Sequence, residues 1–308
     1  MMLLAPAAQA NGLRLATWNA DLSRDGPGLL LRDILSGTDP EVEAVVAGLA
    51  ALRPDAVLLT RVDHDLNTVA LAALADRLAA AGLDYPHLLA PPQNRGLPSG
   101  ADLDRNGRLG DPDDAHGYGR FSGDGAMALL SRWPLTLEVD HSAMLWADLP
   151  GARLDHVPAL TRGLHRLSSS AHWQVALALP GGGSLRLLAW AATPPAFGAR
   201  NPDRNHDEAA LWLDLLARAR PQGPFVLIGL PNLGPDQGDP AALDALAAHP
   251  LLHPPPHGPT AALKSGPARL SLVQPSRELT IRDAGLYPAP PIPAAHRMVW
   301  VDLVMPPP

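Results

Sequence analysis

The chain of 308 residues contains no cysteine. That absence excludes disulfide bridges, thiolate catalysis and cysteine-ligated zinc, and it leaves the redox compartment open. Basic charge is also scarce: 24 Lys and Arg stand against 31 Asp and Glu, for a net charge of -7 at pH 7. A protein that captures nucleic acid through its field carries the opposite balance, so there is no strong nucleic-acid footprint. No apolar run reaches the roughly 20 residues that a membrane span needs. Hydrophobic residues nevertheless make up 46% of the chain and charged ones only 18%. That is enough apolar material for a sizeable core, and it argues against global disorder.

Periodicity and punctuation then outline the elements. Residues 1–10 carry an apolar patch ending Ala8-Gln9-Ala10, which resembles the cleavage end of a secretory signal peptide. The patch lacks a basic n-region and is short, so it reads as a remnant of such a signal or as an ordinary frayed terminus. The first reading implies a secreted or periplasmic protein. Residues 11–308 read as one domain, with no internal repeat and no linker.

Residues 13–19 alternate and stop at Asn19, as a first strand does. Asp39 before Pro40 predicts an N-capped helix over residues 40–52, and residues 56–60 are a buried strand. A second amphipathic helix covers residues 69–81 and closes at Gly82. Residues 125–134 read as a core strand and a turn. Gly181-Gly182-Gly183 joins strands 174–179 and 185–190 into a hairpin, and a helix is expected over residues 209–218. The run Phe225-Val226-Leu227-Ile228 breaks at Gly229 and Pro231, a buried strand delivering Asn232 to a loop. In α/β domains sites collect where loops leave the carboxyl ends of strands. The Pro-rich runs at residues 254–259 and 287–293 read as surface loops.

One motif stands by itself. From Asp102 to Asp113 the spacing is that of a calcium loop, with Asp102, Asp104, Asn106 and Asp113 at positions 1, 3, 5 and 12. Gly107 supplies the sharp turn at position 6, and Arg108 at position 7 need offer only its carbonyl. Flanking EF-hand helices are not evident. The expectation is structural Ca²⁺ held by an irregular insertion near residues 98–114; a plain Asp/Gly-rich turn is the other reading.

These segments together resemble the endonuclease/exonuclease/phosphatase superfamily, of deoxyribonuclease-like fold. Thr17-Trp18-Asn19 resembles its opening strand, and Gly125-Ala126-Met127-Ala128-Leu129-Leu130-Ser131-Arg132-Trp133-Pro134 resembles its Gly-x-Ala-Leu-Leu-Ser-Arg-x-Pro segment. Pro98-Ser99-Gly100, the calcium loop and Pro112-Asp113-Asp114 resemble an insertion found in related members. The resemblance spans residues 13–303. It implies an α/β fold, a four-layer α/β sandwich with two mixed β-sheets packed face to face and helices outside. It also implies Mg²⁺-dependent phosphoester hydrolysis.

The site positions depart from that pattern. Asn19, Asn232 and His296 match it, but Arg61 stands where the metal-binding Glu is expected, and Leu230 replaces the Asp of Gly-Asp-x-Asn. Ala191 replaces the His of His-Pro-Thr-Pro-Pro, Ser271 an Asp, and Ala295 the Asp beside His296. A site that prepares water on a divalent ion needs those carboxylates. The main expectation is therefore a pseudoenzyme with a dead hydrolase pocket. In that pocket Arg61 either replaces the ion and binds phosphate or another anion, or pairs with Asp63 or Asp65 and fills the space. Two alternatives stay open. One is an active phosphodiesterase, phosphatase or nuclease with a displaced metal site built from Asp63, Asp65, His206 and Asp207. The other is a calcium-stabilised extracellular module that binds some other small molecule. His172 is a further candidate for the pocket, or else a structural histidine. His206, Asp207 and Glu208 either bind metal or suit the first turn of a helix.

Overall fold

In the computed structural model the described residues are 12–234, 237–263, 266–287 and 296–305. In chain order they form β1 (Gly12–Leu22), α1 (Leu29–Ser36), α2 (Pro40–Leu52), β2 (Ala56–Val62), α3 (Val69–Ala80), β3 (His87–Leu89), β4 (Ala126–Ser131) and β5 (Leu135–Asp140). Then follow β6 (His172–Ala178), β7 (Ser184–Ala191), α4 (Asn201–Arg218), β8 (Phe225–Leu230), α5 (Ala241–Ala247) and the small hairpin β9 (Ala261–Leu263) and β10 (Gly266–Ala268). Last come β11 (Leu272–Pro275), β12 (Thr280–Tyr287) and β13 (Met298–Val304).

The principal strands are apolar on both faces, and a strand of that kind must be covered on both sides. Leu13 and Leu15 of β1, Leu58 of β2, Val175 of β6, Leu187 of β7 and Ile228 of β8 meet in one core between two sheets. Their outward neighbours are equally apolar. Ala16, Trp18, Val57 and Leu59 pack under α1, α2 and α3, whereas Leu188, Trp190 and Leu227 pack under α4 and α5. Two sheets face to face with helices outside each make the four-layer sandwich expected from the resemblance.

Strand order is β12-β13-β1-β2-β4-β3 in one sheet and β11-β8-β7-β6-β5 in the other. Each sheet is antiparallel except for a single parallel pair, β1 with β2 and β7 with β8. Local chemistry sets the helix ends. Asp39 accepts hydrogen bonds from the Glu41 and Val42 amides at the start of α2. Asp65 accepts from the Val69 and Ala70 amides at 2.6 and 2.9 Å, closing the start of α3.

One expectation about the elements needs correction. Helix α4 begins at Asn201, eight residues before the expected 209, so Arg204 to Glu208 lie within it. Sequence pattern hid this because Arg204, Asn205, Asp207 and Glu208 are polar residues on a buried face. Residues 1–10 and the run from 288 to 293 lie outside the described residues.

Candidate functional site

The carboxyl ends of both parallel pairs open on the same edge of the sandwich. Asn19 lies near the end of β1, Arg61 near the end of β2, Ala191 ends β7 and Leu230 ends β8. All four line one cavity of about 370 Å³, together with Asn232 and His296. Backbone irregularity aims the polar side chains. The β1–β2 register shifts between Asn19 and Leu22 and the β2–β4 register between Thr60 and Val62, and Asp21 and Arg61 take left-handed φ values of 50° and 60°. A bulge of this kind re-aims a side chain that strict alternation would send to the other face. Asn232 is also left-handed at φ 59°; its side chain donates to the Ala192 carbonyl at 3.1 Å.

Beneath the cavity α4 ties the two loops together. Asn205, buried, donates from Nδ2 to the Thr193 carbonyl at 2.7 Å and the Pro231 carbonyl at 2.8 Å. Glu208, fully buried, accepts from the Ser169 amide, the Ser169 hydroxyl and the Thr193 amide at 2.6 to 2.7 Å. Burial pushes its carboxyl up to about 6, against the pull of Arg204 and those hydrogen bonds. Arg204 in turn donates to the Leu167, His116, Arg166 and Ser168 carbonyls. These groups hold the cavity loops in place and do not line the cavity.

The cavity itself is cationic. Arg61 has one contact among the described residues, a 3.4 Å approach to Asp21, whose side chain is 69% exposed. The pairing with Asp63 or Asp65, one of the two alternatives for Arg61, is not made. A second guanidinium, Arg95, lies in the same lining. Its Nε donates to the Asp124 carbonyl at 2.8 Å, and among the described residues it forms no ion pair. Burial first, and then the like charge of Arg61, bring Arg95 down to about 10, so it remains a cation at neutral pH. Sequence reasoning missed this residue, since an arginine in a Pro/Gly-rich loop carries no signal of where it points.

His296 and Asn19 form the polar floor, with Asn19 Nδ2 3.0 Å from His296 Nε2. Burial lowers the pKa of His296; Asp21 offsets part of that and Arg61 adds to it. His296 Nδ1 and Asn19 Oδ1 are both buried without a partner among the described residues. Turning the amide over lets Oδ1 accept from Nε2–H and leaves Nδ2 as a free donor. In either arrangement no described residue orients the imidazole through Nδ1.

Other expected pocket residues are elsewhere. Asp63 is buried and accepts from the Arg24 and Gly125 amides, while Asp65 is the α3 cap. His172 is fully buried between Trp190 and Trp212, with Nε2 on the Glu208 carbonyl at 2.9 Å. His206 pairs with Asp207, whose other oxygen receives the Trp146 indole and the Arg153 amide. These are structural contacts, and none of the five residues lines the cavity. Ser271 is buried beside the site and donates its amide to Thr260 Oγ1; Ala295 lies outside the described residues. Among the described lining residues only Asp21 carries a carboxylate, and Arg61 faces it. That donor set does not fit a divalent ion such as Mg²⁺.

The 102–113 loop, by contrast, gathers acids that could hold a metal. Carboxylates of Asp102, Asp104 and Asp114 converge within 4.8 Å of one another, as do those of Asp104, Asp111 and Asp113. Asn106 Nδ2 sits between Asp104 Oδ2 at 3.0 Å and Asp111 Oδ2 at 2.7 Å. The spacing argument had not included Asp111 and Asp114. Asp114 also accepts from the Leu103 and Gly110 amides, so it shapes the loop as well. Arg108 donates its amide to Asn106 Oδ1.

Comparison with known proteins places the fold. The chain is similar to an endonuclease/exonuclease/phosphatase structure from Beutenbergia cavernae, at 20% identity and TM-score 0.63, over 96% of this chain and 72% of that one. It is also similar to a protein of the same family from Leptotrichia buccalis, at 11% identity and TM-score 0.56, over 94% and 99%. The human Nocturnin catalytic domain with bound sulfate anion is similar at 15% identity and TM-score 0.53, over 96% of each chain. No family model and no curated protein matches the sequence. The chain therefore has the endonuclease/exonuclease/phosphatase fold.

Proposed function

We propose that this chain is an endonuclease/exonuclease/phosphatase-type protein that has lost metal-dependent phosphoester hydrolysis and keeps its pocket as a metal-free site for a phosphate-class anion. The observation that carries this reading is the cavity lining. Among the described residues it has two guanidiniums, one exposed carboxylate, and Ala191 and Leu230 where the family pattern has a His and an Asp. Hydrolysis on this fold needs a divalent Lewis acid and a group that prepares water. A guanidinium is permanently charged, forks to two oxygens, and repels the ion it would stand beside. That His296 Nδ1 has no partner among the described residues supports the same reading, since a catalytic imidazole is held by a hydrogen bond at its second nitrogen. The displaced-metal reading is weakened by the commitments of Asp63, Asp65, His206 and Asp207 to local hydrogen bonds.

Purified protein assayed with Mg²⁺ and Mn²⁺ on nucleic acid, a phosphomonoester and a phosphodiester should show no divalent-dependent turnover. Turnover that chelator and Asn232→Ala both abolish would overturn the proposal. Phosphate should bind with chelator present, and weaken on Arg61→Ala and with rising salt.

A second reading concerns the loop. We propose that residues 102–114 bind structural Ca²⁺, because the Asn106 amide nitrogen occupies the space between two carboxylates that a cation would take. A calcium-stabilised, secreted or periplasmic protein is the setting in which both readings fit together.

A further inference from the structure

The cavity has a second half. Besides the two arginines, its lining includes the apolar side chains of Ala191, Leu230, Leu263 and Leu270. At its rim stands Phe197, a lining residue that is 93% exposed. A phenyl ring left in water forgoes the stabilisation that burial would give, and this one also adopts φ 67°, rare for a bulky side chain. The loop is tied at its base, with Asn201 Nδ2 on the Ala196 carbonyl at 2.6 Å and the Asn201 amide on the Gly198 carbonyl. Strain that surrounding contacts maintain is a reason to look for function.

Resting on the reading of a metal-free anion site, we propose that the natural ligand is a phosphate-class monoester of a flat aromatic body. Arg61 and Arg95 take the anionic head, and Phe197 at the rim takes the face of the ring. Both guanidiniums have donors to spare. Among the described residues, Arg61 makes one polar side-chain contact, 3.4 Å to exposed Asp21, and Arg95 uses only Nε. Two forks converging on one cavity suit the several oxygens of a phosphate head. An aromatic face at the rim contributes through offset or edge-to-face packing, which a small alkyl ester cannot return.

The test is calorimetric titration, in chelator, with inorganic phosphate, methyl phosphate and phenyl phosphate. Phenyl phosphate should bind about tenfold more tightly than methyl phosphate, the upper range of one aromatic pair. Phe197→Ala should bring the two within about twofold while leaving inorganic phosphate unchanged. The Phe197 side chain is almost wholly exposed, so this variant should melt with the parent. Arg95→Gln should weaken all three anions; if it does not fold, Arg95→Lys, which keeps the charge and loses the fork, should weaken them less. Equal binding of phenyl and methyl phosphate, or a preference that survives Phe197→Ala, would sink the aromatic-ligand inference alone. If neither Arg95 variant weakens binding, the second guanidinium has no part in it and the inference fails. If none of the three anions binds below about 10 mM, the metal-free anion site falls with it.

Discussion

Asn205 supports the cavity from behind without lining it. Its amide nitrogen donates to the Thr193 and Pro231 carbonyls at 2.7 and 2.8 Å, and so joins the loop after β7 to the loop after β8. Asn205→Ala leaves both carbonyls without that donor in a site where Asn205 itself is 3% exposed. A buried polar group that loses its partner costs about 1–3 kcal/mol. Two such groups cost about 2–6 kcal/mol against a total stability of about 5–15 kcal/mol, so the variant should fold but unfold much more readily. Urea denaturation followed by tryptophan fluorescence reads this as a lower midpoint with an unchanged slope. The same variant should weaken phosphate binding, because Asn232 and the Ala191–Ala192 edge are positioned through those loops. A stability loss under about 0.5 kcal/mol would refute the reasoning, since that is the range of an ordinary surface substitution. So would a full stability loss with phosphate affinity untouched.

Calcium in millimolar excess should raise the melting temperature, because a ligand that binds only the folded chain stabilises it. Asp104→Ala should abolish that increment, since Asp104 belongs to both acidic groups; an unchanged melting temperature would count against the ion. His172 is fully buried and held down to about 3 by burial, so its folded pKa lies below its unfolded value of 6.5. The stability it contributes is complete above pH 6.5 and is lost as pH falls through that value toward 3. The loss is about 1.4 kcal/mol per pH unit, checked by melts between pH 7 and 5. A measured His172 pKa of 6 or higher would remove the basis for this. Gly229→Ala should not give soluble folded protein, because a Cβ there would lie 1.9 Å from the Trp190 carbonyl oxygen across the β7–β8 pair; a variant that melts with the parent would contradict the packing.

Much of the framework was legible in the residues themselves. The Asp39-Pro40 start of α2, the Gly82 stop after α3 and the both-sided apolar runs of β2 and β8 are local signals, because caps, turns and burial act within a few residues. The strand ends that carry Arg61, Ala191 and Leu230 were legible for the same reason, whereas reading those residues as replacements rests on the family resemblance. Where a side chain goes after the strand ends is not a local property. Tertiary structure alone decided that Arg61 faces Asp21 and not Asp63, that Arg95 and Phe197 share its cavity, and that His172, His206 and Asp207 are spent on packing. The reason is physical. Polar residues 204, 205, 207 and 208 stand before the helix expected from 209, yet they are buried within it because the loop carbonyls and amides beside them need partners that only a folded neighbour supplies.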